Sequence, residues 1–341
     1  MVMQTGDVPS QPTIQELRQQ IAGYGRPDIR KAVWQLVNTL LPYGGLTALL
    51  YFMARHAYPV WTFPVPMLLA SLFLVRIFIL FHDCTHGSFF ASDRANTIVG
   101  YIAGVLTFTP FEYWRWNHNW HHRTYADLDR RGVGDIWTLT VDEYLATTKW
   151  KRLTYRVARN PLVFLIIGPG FVFLITQRLL HQWQGKEERR SVLITNLIAA
   201  IALVVANFTI GLRAYLVIQL PITLLAGAIG IWLFYVQHQF EGVYWSRHDN
   251  WDALTAALRG SSYYKLPGVL RWFTANIGLH HVHHILPLIP NYHLQKCYQE
   301  VPGLHNITPL TFTRSLKSLR LNLWDEKQQK LVSFRSLQPT R

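Results

Sequence analysis

Four long runs of mostly apolar residues limit what this chain can fold into. They occupy residues 33–54, 62–84, 192–210 and 214–236 of the 341-residue sequence. A helix of about 20 apolar residues crosses the ~30 Å hydrocarbon core of a bilayer. The alternative interpretation is buried helices of a soluble core, but four runs of this length rarely occur together in a soluble chain. The sequence therefore predicts an all-α integral membrane protein with four transmembrane helices.

Two further apolar stretches are too short or too interrupted to be assigned by length. Residues 97–109 are shorter than a span, and residues 161–180 carry Gly168-Pro169-Gly170, which removes a backbone donor and loosens a helix. If neither stretch crosses the membrane, 30 of the 33 Lys and Arg residues lie on the same side as both termini. Such an excess marks the cytoplasmic side. We therefore predict two re-entrant or interfacial helices in a multi-pass protein of the cytoplasmic membrane, with both termini cytoplasmic.

This topology divides the chain into three parts. Residues 1–32 are expected to form a cytoplasmic N-terminal segment without a cleaved signal, residues 33–310 the membrane domain with a cytoplasmic helical cap, and residues 311–341 a basic cytoplasmic tail. The two cysteines, Cys84 and Cys297, both fall on the predicted cytoplasmic side, which argues against a disulfide. The basic cytoplasmic face explains the net charge of +14, so nucleic-acid binding is not expected.

Histidines are concentrated in two short patches of the predicted cap. Seven of the fifteen histidines lie in HNWHH at 118–122 and HHVHH at 280–284. Each patch holds three histidines at the spacing i, i+3, i+4, which covers an arc of about 100° on one side of a helix. The two triads are His118, His121 and His122, and His280, His283 and His284. His82 and His86, at the inner end of the second run, also share a helix face. Each triad is expected to direct its imidazoles to one point.

The number of histidines indicates how many ions they bind. Eight imidazoles exceed the usual four ligands of a zinc site and the six of an octahedral ion, so we predict two metal ions close together. Imidazole suits iron, zinc, copper and nickel, which leaves the metal open at this point. HNWHH lacks the Glu of the HExxH zinc proteases, so hydrolytic zinc chemistry is a minor alternative. His238 is expected at the same depth as His82 and is predicted to be a further ligand, with an interfacial histidine that reaches to the membrane surface as the alternative.

Other residues near the patches are candidates for supporting the ligands. A ligating imidazole normally donates its other N–H to a carboxylate or a carbonyl. The candidate carboxylates are Asp83, Glu112, Asp135 and Glu241. His281 lies about 60° outside the arc of its patch, so it is expected to support a ligand, with direct metal contact as the alternative.

The aromatic stretch FEYWRWNHNW at 111–120 leads into the first patch. Its Trp114, Trp116 and Trp120 are candidates for lining a substrate channel, with an interfacial aromatic belt as the alternative. Arg76 lies inside the second span, where a charge is costly, so it is either functional or reaches back to the membrane surface. The isolated histidines are interpreted as structural; they are His56, His181, His248, His293 and His305.

At these motifs the chain resembles the membrane fatty acid desaturases. HDCTH at 82–86, HNWHH and HHVHH are similar to the three histidine boxes of that family. The longer phrases RRGVGDIWTLTVDEY, GIWLFYVQHQFE and NIGLHHVHHILPLIPNY resemble its bacterial acyl-lipid branch. The resemblance runs from about residue 30 to residue 300.

The resemblance implies an enzyme with two non-haem irons held by the eight box histidines and His238. Such an enzyme uses O₂ to introduce a cis double bond into acyl chains of membrane lipids, and the bacterial branch implies the delta-5 or delta-12 position. There is one departure. Animal acyl-CoA relatives carry an Asn four residues before the ligand between boxes two and three, and this chain has Phe234 there, so the animal-type iron shell is not expected.

The electron donor and the alternatives also follow from the resemblance. No haem-binding HPGG segment occurs in the sequence, so electrons are expected from a separate ferredoxin or flavodoxin, acidic proteins that would match the basic face. A di-iron hydroxylase or ketolase of alkyl, acyl or carotenoid substrates is the alternative enzyme. A metal transporter or sensor is a third possibility, but it predicts polar ligands along the spans rather than at their inner ends.

Overall fold

The computed structural model describes residues 13–337 as a helical protein with little β-structure. Its α-helices in chain order are α1 (Ile14–Ile21), α2 (Ile29–Arg55), α3 (Pro64–Thr85), α4 (Asp93–Leu106), α5 (Phe111–Thr124), α6 (Val141–Ala146), α7 (Lys149–Ala158), α8 (Lys186–Thr209), α9 (Leu212–His238), α10 (Ala253–Arg259), α11 (Gly268–Phe273), α12 (His280–Ile285), α13 (Asn291–Glu300) and α14 (Phe312–Ser315). Its strands are β1 (Leu139–Thr140), β2 (Tyr264–Lys265), β3 (Leu310–Thr311), β4 (Leu323–Asp325) and β5 (Lys330–Val332).

Four helices, α2, α3, α8 and α9, are long and apolar enough to cross a membrane. They coincide with the four apolar runs, so the predicted all-α membrane fold is confirmed. α3 lies at the centre and packs against α2, α4 and α9. On the outside of the bundle, side chains such as Leu41 and Phe208 are exposed, as expected where lipid replaces water. The helices extend past the apolar runs where a polar residue caps them: the Asp28 carboxylate accepts from the backbone N–H groups of Arg30 and Lys31 at the start of α2.

The two ambiguous apolar stretches have different structures. Of residues 97–109, the first ten belong to α4, a regular helix of 14 residues that ends at Leu106 and is too short to cross a bilayer. Residues 161–180 form wide π-helical turns on either side of Pro169, and this segment is bent by 63° from α7. Near its start Phe164 stacks on Tyr235 in the last turn of α9, and just past its end Trp183 packs on Tyr113 of α5. The segment therefore enters and returns at the same end of the bundle.

Both terminal regions pack into the cap that covers this end of the bundle. In the N-terminal segment, α1 buries Leu17 and Ile21, and the Arg18 side chain donates to the Ile285 carbonyl at the end of α12. Of the predicted basic tail at residues 311–341, the described residues 311–337 form short helices and strands that pack into the cap. β4 pairs in parallel with β1 and antiparallel with β5, and Trp324 on β4 is 1 % exposed. The boundary at residue 311 also runs through β3, which pairs with β2. Burial of its apolar side chains stabilises the packed structure of this region despite its many basic residues.

The two cysteines are both free and buried. Cys84 lies near the end of α3, and Cys297 lies on α13 in the core of the cap. Neither takes part in a disulfide.

Candidate metal centre

Nine histidines meet where α3 and α9 leave the bundle and contact α5 and α12. Each ligand atom lies within 4.8 Å of the others in its group. The first histidine group consists of His82, His86, His118, His122 and His283, and the second histidine group consists of His121, His238, His280 and His284. The structure thus brings together all nine histidines that the sequence singles out, including His238. It also places both histidine patches and HDCTH at one end of the bundle, as the predicted topology requires.

Each histidine triad is divided between the two groups, which differs from our expectation that a triad converges on one point. On α5, His118 and His122 belong to the first group and His121 to the second. The pair at i and i+4 stays together because it is separated by only about 40° around the helix, whereas i+3 falls on the other flank. On α12 the pair at i and i+4 joins the second group, and His283 joins the first. Both α5 and α12 therefore contribute to each group, together with α3 in the first group and α9 in the second.

The spacing of the imidazole nitrogens fits metal coordination. In the first group the Nε2 atoms are 3.0 Å apart in three successive pairs: His82 with His118, His118 with His122, and His122 with His283. In the second group the Nε2 of His238 lies 3.1 Å from that of His121 and 3.0 Å from that of His280. Two nitrogens that each lie about 2.1 Å from one ion at a right angle are about 3.0 Å apart, whereas a tetrahedral site would set them about 3.4 Å apart. The donors therefore fit ions with five or six ligands better than tetrahedral zinc.

The protonation of the imidazoles also favours metal binding. Burial lowers the pKa of the cap histidines well below its ordinary value, and the neighbouring imidazoles lower it further. This applies to His118, His122, His280, His283 and His284. Because a neutral imidazole is the form that binds metal, these side chains are ready to bind an ion at neutral pH.

Two of the four candidate carboxylates contact the histidine groups. The Asp135 carboxylate lies 2.6 Å from the Nδ1 of His121, whose Nε2 faces the second group. Asp83 lies 3.3 Å from the Nδ1 of His82. These contacts fix the orientation of an imidazole and its tautomer. Glu112 instead pairs with Arg115, and Glu241 pairs with Lys317 at the surface, so neither supports a histidine as we had expected.

A sharp turn before Asp135 brings its carboxylate to His121. Gly134 has a φ of +71°, a conformation that a side chain disfavours. A Cβ at this position would also lie 2.8 Å from the Asn117 carbonyl oxygen on α5. The glycine therefore lets the loop pass close enough to α5 for Asp135 to reach His121.

One supporting residue was not found from the sequence. The Asn291 backbone N–H and its side-chain amide donate to the other oxygen of Asp83, at 2.7 and 2.8 Å. The partners are 208 positions apart in sequence, so the contact could not be predicted from proximity, although Asn291 lies in the phrase NIGLHHVHHILPLIPNY. His281 belongs to neither group: its ring lies on the far side of α12, near Tyr263 and Tyr298.

A cavity of about 400 Å³ opens beside the histidine groups. His82, His118 and His280 form part of its wall, and the rest is largely apolar side chains of α3, α9 and the π-helical segment. Of the three tryptophans proposed to line a channel, only Trp114 does so, and it stacks on His118 with ring centroids 4.2 Å apart. Trp116 and Trp120 stack on each other at the partly exposed surface of α5.

Two residues noted in the sequence lie close to this site. Phe234 lines the cavity, and its ring centroid is 5.3 Å from that of His121, so an apolar ring occupies the position of the Asn of animal relatives. Arg76 is 2 % exposed and does not reach the membrane surface. Its Nε donates to the Thr39 hydroxyl at 3.0 Å, and its guanidinium lies over the Trp272 ring and donates to the Trp272 carbonyl. Arg76 therefore joins α2 and α3 to the segment that leads into α12.

Two groups of imidazoles that could each hold a metal ion lie beside an apolar cavity in a helical membrane protein, an arrangement typical of an enzyme site for an apolar substrate. The family model for fatty acid desaturases matches residues 59–306. The chain belongs to the fatty acid desaturase family, and it is therefore an oxidoreductase. This confirms the resemblance based on the histidine boxes.

Three similar proteins cover most of the chain. A fatty acid desaturase of Bacillus subtilis is 45 % identical over 323 residues, which are 94 % of this chain and 91 % of that protein. An sn-1 oleoyl-lipid 12-desaturase of a Picosynechococcus species is 28 % identical over 71 % of this chain and 68 % of its own length. An sn-1 acyl-lipid omega-3 desaturase (ferredoxin) of a Synechocystis species is 24 % identical over 85 % of this chain and 80 % of its own length.

Proposed function

We propose that this protein is an acyl-lipid desaturase that uses two non-haem irons and O₂ to introduce a cis double bond into acyl chains of membrane lipids. The observation that carries the proposal is the pair of histidine groups at the wall of an apolar cavity, with nitrogens spaced for ions of five or six ligands. The 12-desaturase among the relatives and the resemblance to the bacterial branch favour the delta-12 or delta-5 position.

The nine histidines would hold the irons, five in the first group and four in the second. The bound irons would supply O₂ activation, the oxidising power that no side chain has and that removal of hydrogen from a methylene needs. Asp135 and Asp83 keep the Nε2 atoms of His121 and His82 directed inward, because each accepts at the opposite ring nitrogen.

The cavity would bind the acyl chain. Its wall consists largely of Leu, Ile, Val, Phe and Gly, so a hydrocarbon chain is stabilised there by leaving water. Trp114 packs against His118 at the cavity wall and would hold the chain against the first group. Fixing one carbon–carbon bond next to the metals and excluding water are the contributions to the reaction that the protein itself makes.

Electrons would come from ferredoxin or flavodoxin on the cytoplasmic side. Lys and Arg residues are in excess at the end of the bundle that carries the histidines. This favours a cytoplasmic cap, with four spans in the cell membrane and both termini inside. An acidic electron carrier would be attracted to this face. The relative named as a ferredoxin enzyme supports this class of donor.

Lipid analysis tests the proposal. The protein is expressed in a host without its own desaturase, and membrane acyl chains are separated by gas chromatography with the double bonds located. We expect monounsaturated chains, absent from a matched culture that expresses the His118→Ala variant, and about two irons per chain in the purified protein. Oxygenated chains without new double bonds would identify a hydroxylase or ketolase instead. Metal uptake without any change in the lipids would indicate a transporter or sensor.

A further inference from the structure

The cavity beside the histidines extends a long way along α9. Its wall includes Thr223, Gly227, Gly230, Phe234 and Gln237, which share one face of that helix. From Thr223 to Gln237 the helix rises about 21 Å, at about 1.5 Å per residue. Gln237 adjoins His238 of the second histidine group, so the other end of the cavity lies deep in the bundle.

Gly230 lies midway along this wall, seven residues from either end. A Cβ built there meets no atom within 4 Å. Since Gly230 shares its helix face with the other cavity-lining residues, that open space is the interior of the cavity.

The neighbouring glycine of α9 has a different reason to lack a side chain. At Gly227 a Cβ would lie 2.9 Å from the Cβ of Pro169, so this glycine allows the π-helical segment to pack closely on α9. Packing imposes no such requirement at Gly230. A Cβ at Gly230 would therefore narrow the cavity without displacing protein atoms, and each larger side chain would narrow it further.

We infer that Gly230 is a specificity-determining residue, which sets how much acyl chain fits beyond the metal centre. This rests on the proposed function. The polar ester and headgroup of a lipid cannot enter a largely apolar cavity without losing their hydrogen bonds, so the methyl end of the chain occupies the deep end. The missing side chain at Gly230 keeps the inner half of the cavity, towards Thr223, connected to the metals. Long chains need that inner half, and short chains do not.

The test is a series of variants with increasing side-chain volume, Gly230→Ala, Gly230→Val and Gly230→Leu. The control is Gly45→Leu, the same change in another apolar helix, at an exposed position of α2 where a Cβ also meets no atom within 4 Å. Each full-length protein is expressed in a host without its own desaturase and supplied with saturated chains of several lengths. Product amount and double-bond position are measured for each chain length, and iron content is measured on the purified proteins as a check of folding.

We expect the ratio of long-chain to short-chain product to fall along the series. The decrease should reach about tenfold or more in Gly230→Leu, because even one methylene group too many in an apolar pocket costs 10-fold to 200-fold. Any product still formed from long chains should carry its double bond closer to the methyl end. Gly45→Leu should keep the wild-type profile, and all variants should keep their iron.

Three results would overturn the inference. The first is an unchanged chain-length profile with an unchanged double-bond position in Gly230→Leu. The second is an equal loss of product at every chain length, including in Gly230→Ala, which would make the glycine a packing residue. The third is a wild-type protein without any unsaturated product, which would overturn the proposed function as well and so is distinguished from the first two.

Discussion

The two histidine groups share two helices but have different surroundings. The first histidine group has five imidazoles, and two of them, His86 and His122, are partly exposed. The second has four, all buried, and is covered by Phe234 and Tyr125. Its His121 has a carboxylate at 2.6 Å, whereas the carboxylate beside His82 in the first group is at 3.3 Å. One helical spacing, used twice, thus builds two groups of imidazoles that differ in number and exposure.

The largest effect is expected from removing one histidine from either group. His118→Ala affects the first group and His284→Ala the second. Each should lower desaturation to less than about one hundredth of wild type, because loss of an outer partner alone already costs 10-fold to 100-fold. If the groups bind separate ions, each variant keeps about one iron per chain, measured by elemental analysis. The matched control His56→Ala, outside both groups, should keep two irons and full activity. Loss of both irons in either variant would mean that the groups bind metal only as one unit.

The next effect concerns the carboxylate that distinguishes the second group. Asp135→Asn removes the negative charge beside His121 and should weaken iron binding about 10-fold to 100-fold. The measurement is iron retention against a series of chelator concentrations. The control is Glu112→Gln, whose carboxylate pairs with Arg115, and it should behave as wild type. Equal effects of the two variants would show that Asp135 has no particular role at the metal centre.

Chelation of the wild-type protein should show whether the difference in ligand number gives the two groups different metal affinities. At equilibrium the group with four imidazoles should release its ion before the group with five, so iron should leave in two stages of about one ion each. The thermal unfolding temperature should fall with each stage, because a ligand bound only by the folded state stabilises it by about 2.7 kcal/mol at a concentration 100 times its Kd. Release of both ions in one stage would contradict this ranking.

The smallest effect is expected where an aromatic side chain meets the first group. Trp114→Leu removes the ring that stacks on His118 and lines the cavity, and should lower activity about twofold to tenfold, since aromatic stacking contributes about 0.5–1.5 kcal/mol beyond buried area. Trp116→Leu, on the partly exposed face of the same helix, is the control and should have no such effect. Initial rates of product formation compare the two. A larger loss in Trp116→Leu would exclude Trp114 as the residue that positions the chain.

Local chemistry explains what could be predicted correctly. Apolar length predicted α2, α3, α8 and α9, because burying that many apolar residues in lipid leaves little choice of structure. The histidine spacing also predicted which side chains lie at the candidate metal centre, since residues three and four apart share a helix face, but it did not predict how each triad is divided. The family followed from these residues and the phrases around them.

The way side chains and segments pack in three dimensions explains what could not be predicted. Glu112 is near the first patch in sequence but pairs with Arg115, whereas Asp135 reaches His121 through the turn at Gly134. Residues 311–341 were predicted to be a basic tail, and the pairing of β4 in this region with β1 depends on residues about 180 positions away. Sequence composition carries no information about such partners.

The sequence by itself determined that this chain spans a membrane and gathers nine imidazoles at one end of its helices, because apolar length and helical period are local properties. Only the tertiary structure decided how those imidazoles are divided between two groups, which carboxylates contact them, and that Gly230 faces an open cavity. These depend on how α3, α5, α9 and α12 are rotated about their axes against each other. Packing of the whole bundle sets that rotation.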